Sequence, residues 1–128
     1  MNDPNIEAKP GDILYGKNNK NIFGIKSHYI IYLTDDKNSK EQFLGAMLTS
    51  TKKYSNISLK ESHFEKYEPN GREWQVNYKS SYICPNIYYK KNDWRPFIKV
   101  GQLSIEGLKF VLDQIGFMSP IYSPINKK

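Results

Sequence analysis

Ser27-His28-Tyr29-Ile30-Ile31-Tyr32-Leu33-Thr34 is the stretch that decides the fold. It is rich in Ile and Tyr and apolar on both faces from Tyr29 to Leu33, the pattern of a central strand. Asp35-Asp36-Lys37-Asn38-Ser39 follows as a turn. Gln42 to Leu48 is a second apolar run, so the two read as a β-hairpin. Gly45, inside the second run, marks a bulge or a close backbone approach. Reactive polar residues stand at one end of each run: His28 opens the first, and Thr49-Ser50-Thr51-Lys52-Lys53 closes the second. If the runs pair, these groups share one end of the hairpin.

Outward from the hairpin, Gly11-Asp12-Ile13-Leu14-Tyr15 reads as a short first strand, and Gly16 to Asn21 as a polar loop. Residues 51–73 carry little pattern and read as a long functional loop with a little strand inside. Trp74-Gln75-Val76-Asn77-Tyr78 alternates and predicts a half-buried strand. Tyr82-Ile83 and Ile87-Tyr88-Tyr89 flank Pro85, and Phe97-Ile98-Lys99-Val100 gives the last strand. The one clear helix starts after Ser104, a natural N-cap. Ile105, Leu108, Val111, Leu112 and Ile115 recur along one face, Gly116 stops it, and Pro120 lies just beyond. The expected fold is mainly β (α+β): a small, strongly bent sheet or partly closed barrel with a C-terminal helix packed on it. Residues 1–10 read as a flexible lead, 11–116 as a single domain and 117–128 as a C-terminal tail.

The 128 residues suit one domain, and an apolar fraction of 38% is enough for one core. No apolar run approaches the roughly 18 residues of a membrane span. The polar N-terminus lacks the apolar stretch of a secretory signal, which points to a cytoplasmic protein. One cysteine, Cys84, excludes an intrachain disulfide, and its apolar neighbours read it as a small hydrophobe rather than a nucleophile. The net charge of +6 favours polyanionic partners. Arg72 and Arg95 are the only arginines, however, and a lysine-rich composition also follows from AT-rich coding.

The sequence holds no phosphate-binding glycine loop, no paired zinc-ligand motif and no Gly-x-Ser-x-Gly elbow. His28 and His63 are far apart and lack acidic companions at ligand spacing, so neither a metal site nor a cofactor is expected. Phosphoryl chemistry would then rest on side chains alone. Cleavage of RNA without a metal needs a base for the ribose 2′-hydroxyl, an acid for the leaving 5′-oxygen, and cations or hydroxyls on the equatorial oxygens. His28 is the acid–base candidate because imidazole titrates near neutrality. Taken singly, each candidate also has an ordinary structural explanation: a satisfied strand-edge histidine, hydroxyls bonded to local backbone, a solvated lysine pair. Lys52-Lys53 beside Tyr54 combine cations with a stacking surface, as single-stranded nucleic acid sites do. His63 sits in the long loop, where a direct contact is also open.

Taken together the motifs resemble a family. Gly11-Asp12-Ile13-Leu14 is similar to the opening strand of the MazF/PemK/Kid toxins. His28 to Thr34 resembles their Arg-Pro-x-x-Val-Leu-Ser strand, and Leu48-Thr49-Ser50 the end of their next strand. Asp93-Trp94 and Val100-Gly101-Gln102-Leu103-Ser104 resemble the closing strand and the entry into the last helix. Leu48-Thr49-Ser50-Thr51-Lys52-Lys53-Tyr54 resembles the Leu-Thr-Ser-Pro-Lys-Lys-aromatic stretch of the ToxN/AbiQ branch. The resemblance implies an SH3-like, PemK/MazF-type barrel and a metal-independent endoribonuclease toxin cutting single-stranded RNA. It implies roles for Thr49 and Ser50 in holding or activating the scissile phosphate and a phosphate-binding role for Lys52. With His28 as the acid–base candidate, His28, Thr49, Ser50 and Lys52 form the expected catalytic set, and Lys26, Lys53, Tyr54 and His63 are the expected RNA contacts. The resemblance also implies a cognate antitoxin, protein or RNA, and a homodimer. His28 stands where the family carries an arginine. The chemistry is therefore either redistributed between His28 and Lys52 or lost, which leaves a non-catalytic RNA- or protein-binding module as the alternative.

Overall fold

A computed structural model describes residues 8–16, 28–40, 42–50, 52–53, 55–77, 81–91 and 98–122. Lys26, Thr51, Tyr54, the Asp93-Trp94 motif, and most of the Gly16–Asn21 loop lie outside them. The expected first strand is β1 (Asp12–Gly16), and the two apolar runs are β2 (His28–Asp35) and β3 (Gln42–Thr49). The turn between β2 and β3 is tied by Asp36. Its carboxylate accepts the Gln42 side-chain amide at 2.8 Å and the Asn38 N–H at 2.9 Å. These two donors, Gln42 first, hold the Asp36 carboxyl below its ordinary range.

β2 and β3 pair antiparallel from Tyr29↔Leu48 to Asp35↔Phe43, with a register shift between Tyr32 and Thr34. Such a bulge bends and twists the hairpin. Gly45 lies opposite Tyr32 at that point. A Cβ there would meet Ile30 Cγ2 at 2.8 Å and the Ile31 carbonyl oxygen at 2.9 Å, so the close approach expected at this glycine is present.

The remaining strands are β4 (Ile57–Ser58), β5 (Tyr82–Ile83), β6 (Tyr88–Lys91), β7 (Ile98–Gln102) and β8 (Ile121–Tyr122). They extend the hairpin into one sheet of order β4-β5-β3-β2-β1-β7. The outer edge of β3 is shared: β5 takes Leu48 and Thr49, while β6 takes Gln42 to Gly45. Pro85, which has no N–H to give, lies between them. The Cys84 N–H still donates to the Met47 carbonyl at 3.1 Å, and Asn86 turns back onto the Cys84 carbonyl at 2.8 Å. β8 adds in parallel to β6, so the expected tail contributes a strand to the sheet. Among the described residues the sheet does not close. The architecture is mainly β, antiparallel apart from β8, with one C-terminal helix. No helix among them is long and apolar enough to cross a membrane.

The central strands are buried on both faces, as their unbroken apolar runs require. On one face Ile13, Ile31, Ala46, Leu48 and Ile83 pack with Val111 and Ile115 of α1 (Ile105–Ile115). On the other, Leu14, Ile30, Tyr32 and Phe43 form a second cluster, with the Tyr32 and Phe43 rings stacked at 4.8 Å. Ser104 caps α1, its hydroxyl accepting the Gly107 N–H at 3.0 Å and donating to the Ser62 carbonyl at 2.7 Å.

The packed face of α1 is rotated from the expected stripe. Ile105 is 89% exposed and Leu112 42%, while Gly107 is buried. The cause is the 3-10 turn Glu61–His63, whose His63 carbonyl occupies the space a Cβ on Gly107 would need. The strand expected at Trp74–Tyr78 is absent from its described part. Val76 makes an isolated bridge to Gly101 and donates to the Val100 carbonyl at 2.9 Å, with no continuing ladder. Trp74 is buried there under the Lys99 ammonium, 5.2 Å from the ring centroid.

Candidate functional site at the open end of the hairpin

The register aligns one row of residues across the sheet. Gly16 pairs with His28, Thr49 with Tyr82, and Tyr82 with Ser58. Since Tyr29 pairs with Leu48, His28 takes the position alongside Thr49 at the same end of the hairpin. For the paired residues Thr49, Tyr82 and Ser58, direct cross-strand placement means Cβ atoms about 5 Å apart. Side chains alternate faces along a strand. Thr49, Tyr82 and Ser58 therefore share the face of Met47, opposite the face on which Leu48 and Ile83 meet the helix-side core. Thr49 and Tyr82 are half-buried, while Ser50, Lys52, Lys53 and Ser58 are exposed.

The topology also fixes how β4 lies relative to β3. β3 and β4 are each antiparallel to β5, which lies between them, so they run parallel to one another. Thr49 and Ser58 are level through Tyr82, so β3 is left at the end where β4 finishes, and β4 is entered at its opposite end. Ahead of β4 the Asn56 N–H donates to the Lys53 carbonyl at 2.8 Å. Lys53 lies within electrostatic reach of Cys84. Burial pushes the Cys84 thiol up, and the Lys53 ammonium partly offsets this by favouring the thiolate. Burial likewise raises the Tyr88 phenol, with the negative charge of a Cys84 thiolate adding to it and an Asn86 hydrogen bond opposing. Cys84 is thus a poor nucleophile at neutral pH, in keeping with its apolar setting.

Of the predicted residues, the register brings the His28 backbone position and Thr49 to one end of the hairpin, with Ser50 next in the chain. Lys52 and Lys53 follow as exposed residues, Lys53 within electrostatic reach of Cys84. Hydroxyls at a strand end followed by exposed ammonium groups are able to hold a phosphodiester and neutralise charge developing on it. Lys26 and Tyr54 lie outside the described residues. His63 does not fit a contact with RNA. It is 3% exposed, its Nδ1 accepts the Lys60 N–H at 2.9 Å, and its ring stacks on Phe110 at 4.5 Å. Its carbonyl accepts the Ser104 N–H at 2.9 Å, so the residue fastens the 3-10 turn to α1.

Tyr82 and Ser58 are the residues that sequence reading missed. Strands of two residues have no periodicity to detect, and nothing local says that β5 inserts between β3 and β4. Among the described residues no group of three His, Cys, Asp or Glu side chains is arranged to hold a metal ion. Comparison of the chain with family models, with curated proteins and with solved structures gives no match.

Proposed function

We propose that this protein is an endoribonuclease toxin of a toxin–antitoxin system, with an SH3-like barrel of the MazF/PemK type, cutting single-stranded RNA by attack of the ribose 2′-hydroxyl. The observation that supports the reading is the register of β2 against β3, in which Tyr29 pairs with Leu48 so that the start of β2 at His28 and the end of β3 at Thr49 lie at the same end of the hairpin. The Thr49-Ser50-Thr51-Lys52-Lys53-Tyr54 motif and the +6 charge support it.

In this reading His28 moves the protons. It takes one from the 2′-hydroxyl or gives one to the departing 5′-oxygen. Thr49 and Ser50 hold the scissile phosphate through their hydroxyls, and Lys52 stabilises the charge that grows on its equatorial oxygens. Lys26, Lys53 and Tyr54 contact the flanking nucleotides. DNA, with no 2′-hydroxyl, is not a substrate by this route. An antitoxin, protein or RNA, restrains the activity in the cell, and a homodimer would place the RNA across two copies.

Induction of the chain in a bacterial host, with RNA 5′ ends mapped before and after, tests the reading. Growth arrest with new RNA ends at preferred sequences supports it. Normal growth with intact RNA, while purified protein still retains RNA without products, would move the reading to the non-catalytic module.

A further inference from the structure

We infer that Tyr82 is the base-stacking platform of the RNA site, a substrate-positioning residue one strand away from the phosphate-holding hydroxyls; this rests on the reading of the site as one for single-stranded RNA. The argument is placement. Tyr82 is the direct cross-strand partner of Thr49, on the same face, and it is half-buried rather than packed away. Its other cross-strand neighbour, Ser58, is small and exposed, so of its two paired partners in the sheet neither is a bulky side chain. Among the described residues no aromatic partner engages its ring, in contrast to Tyr15 and Tyr29, whose rings meet at 5.2 Å on the opposite face.

Lys53 supplies a matching charge. It is exposed and within electrostatic reach of Cys84, which is two residues from Tyr82 in the chain. A backbone held by Thr49, Ser50 and the two lysines leaves its bases to be placed. Every base has a π-face, and a half-exposed tyrosine beside a basic loop is the surface that single-stranded sites use to stack one. The ring would serve any base, so it positions the strand without reading sequence.

The test is binding, kept apart from cleavage. The probes are a short uncleavable 2′-O-methyl oligoribonucleotide and the same backbone without bases, each read by fluorescence anisotropy. Tyr82→Leu should weaken binding of the base-bearing probe about tenfold and leave the abasic probe unchanged, while Tyr82→Phe binds both as the natural chain does. Equal affinity of Tyr82→Leu and the natural chain for the base-bearing probe overturns the inference, and so does an equal loss on both probes. If Tyr82→Leu does not fold, Tyr82→Trp decides. Its fluorescence should be quenched by the base-bearing probe and not by the abasic one, and the absence of that difference overturns the inference. Cleavage of ordinary RNA by the natural chain and by Ser50→Ala tests the nuclease reading separately, so either can fail while the other stands.

Discussion

Gly107→Ala separates two opposed effects by the sign of the outcome. In an exposed helix interior the change should stabilise the protein by about 1 kcal/mol, because alanine is the better helix former. Gly107 is not exposed, and the atoms its Cβ would strike belong to the backbone of His63, which cannot swing aside as a side chain can. Overpacking of this kind costs about 1–3 kcal/mol, and the upper end applies to a rigid neighbour. Relief by displacement would pull the His63 carbonyl from the Ser104 N–H and the 3-10 turn from the Ser104 hydroxyl. Each bond lost adds about 1 kcal/mol. The balance is a net destabilisation of about 2–3 kcal/mol, which lowers the thermal midpoint of a domain this size by roughly 10 °C. Circular dichroism melts with matched urea titrations would measure it. A Gly107→Ala protein as stable as the natural chain, or more so, would refute the close contact between α1 and the 3-10 turn.

Two further predictions probe the sheet and the loop. Asp12 is buried and pairs with Lys99 at 3.0 Å while accepting the Lys9 N–H at 2.9 Å, so Asp12→Ala should cost about 2 kcal/mol by urea unfolding. The ammonium is more than a third exposed and contributes the smaller share. A change below the error of the titration would mean the carboxylate is not held as described. For Cys84, burial raises the thiol and Lys53 lowers it, so the thiolate fraction grows with pH and shrinks when Lys53 is removed. Lys53→Ala should therefore slow alkylation by iodoacetamide, with the pH–rate curve displaced to higher pH. An unchanged or faster curve would show that the Lys53 ammonium does not act on Cys84 as described.

The hairpin, the first strand, β7 and the capped helix were legible in the sequence because each is long enough to carry a period or a terminal signal; β8, two residues beyond the helix in the expected tail, was not. Tyr29 to Leu33 is apolar on both faces, and Ser104 and Gly116 bracket α1. What escaped depends on contacts distant in sequence. The helix face turned because His63, far from α1 in the chain, takes the space beside Gly107. Trp74 to Asn77 alternates like a strand, yet the edge of β7 bonds it only at Val76. Of the candidate site, Thr49, Ser50 and Lys52 were visible as a motif, and the pairing of β2 with β3 brings the end of β3 at Thr49 to the end of the hairpin where His28 begins β2. Tyr82 and Ser58 were not visible, because only the insertion of β5 between β3 and β4 brings them level with Thr49. His63, a free loop residue by sequence, is buried because its ring nitrogen and carbonyl both bond backbone.

The most direct measurement of the central claim is the chemistry of the RNA ends that the purified protein makes from a mixed single-stranded substrate. Attack by the 2′-hydroxyl leaves a 2′,3′-cyclic phosphate on one fragment and a 5′-hydroxyl on the other. The natural chain should yield those ends in the presence of EDTA, and His28→Ala and Ser50→Ala should yield none while melting as the natural chain does. Intact RNA, fragments bearing 5′-phosphates, activity lost with EDTA, or full cleavage by both variants would contradict it.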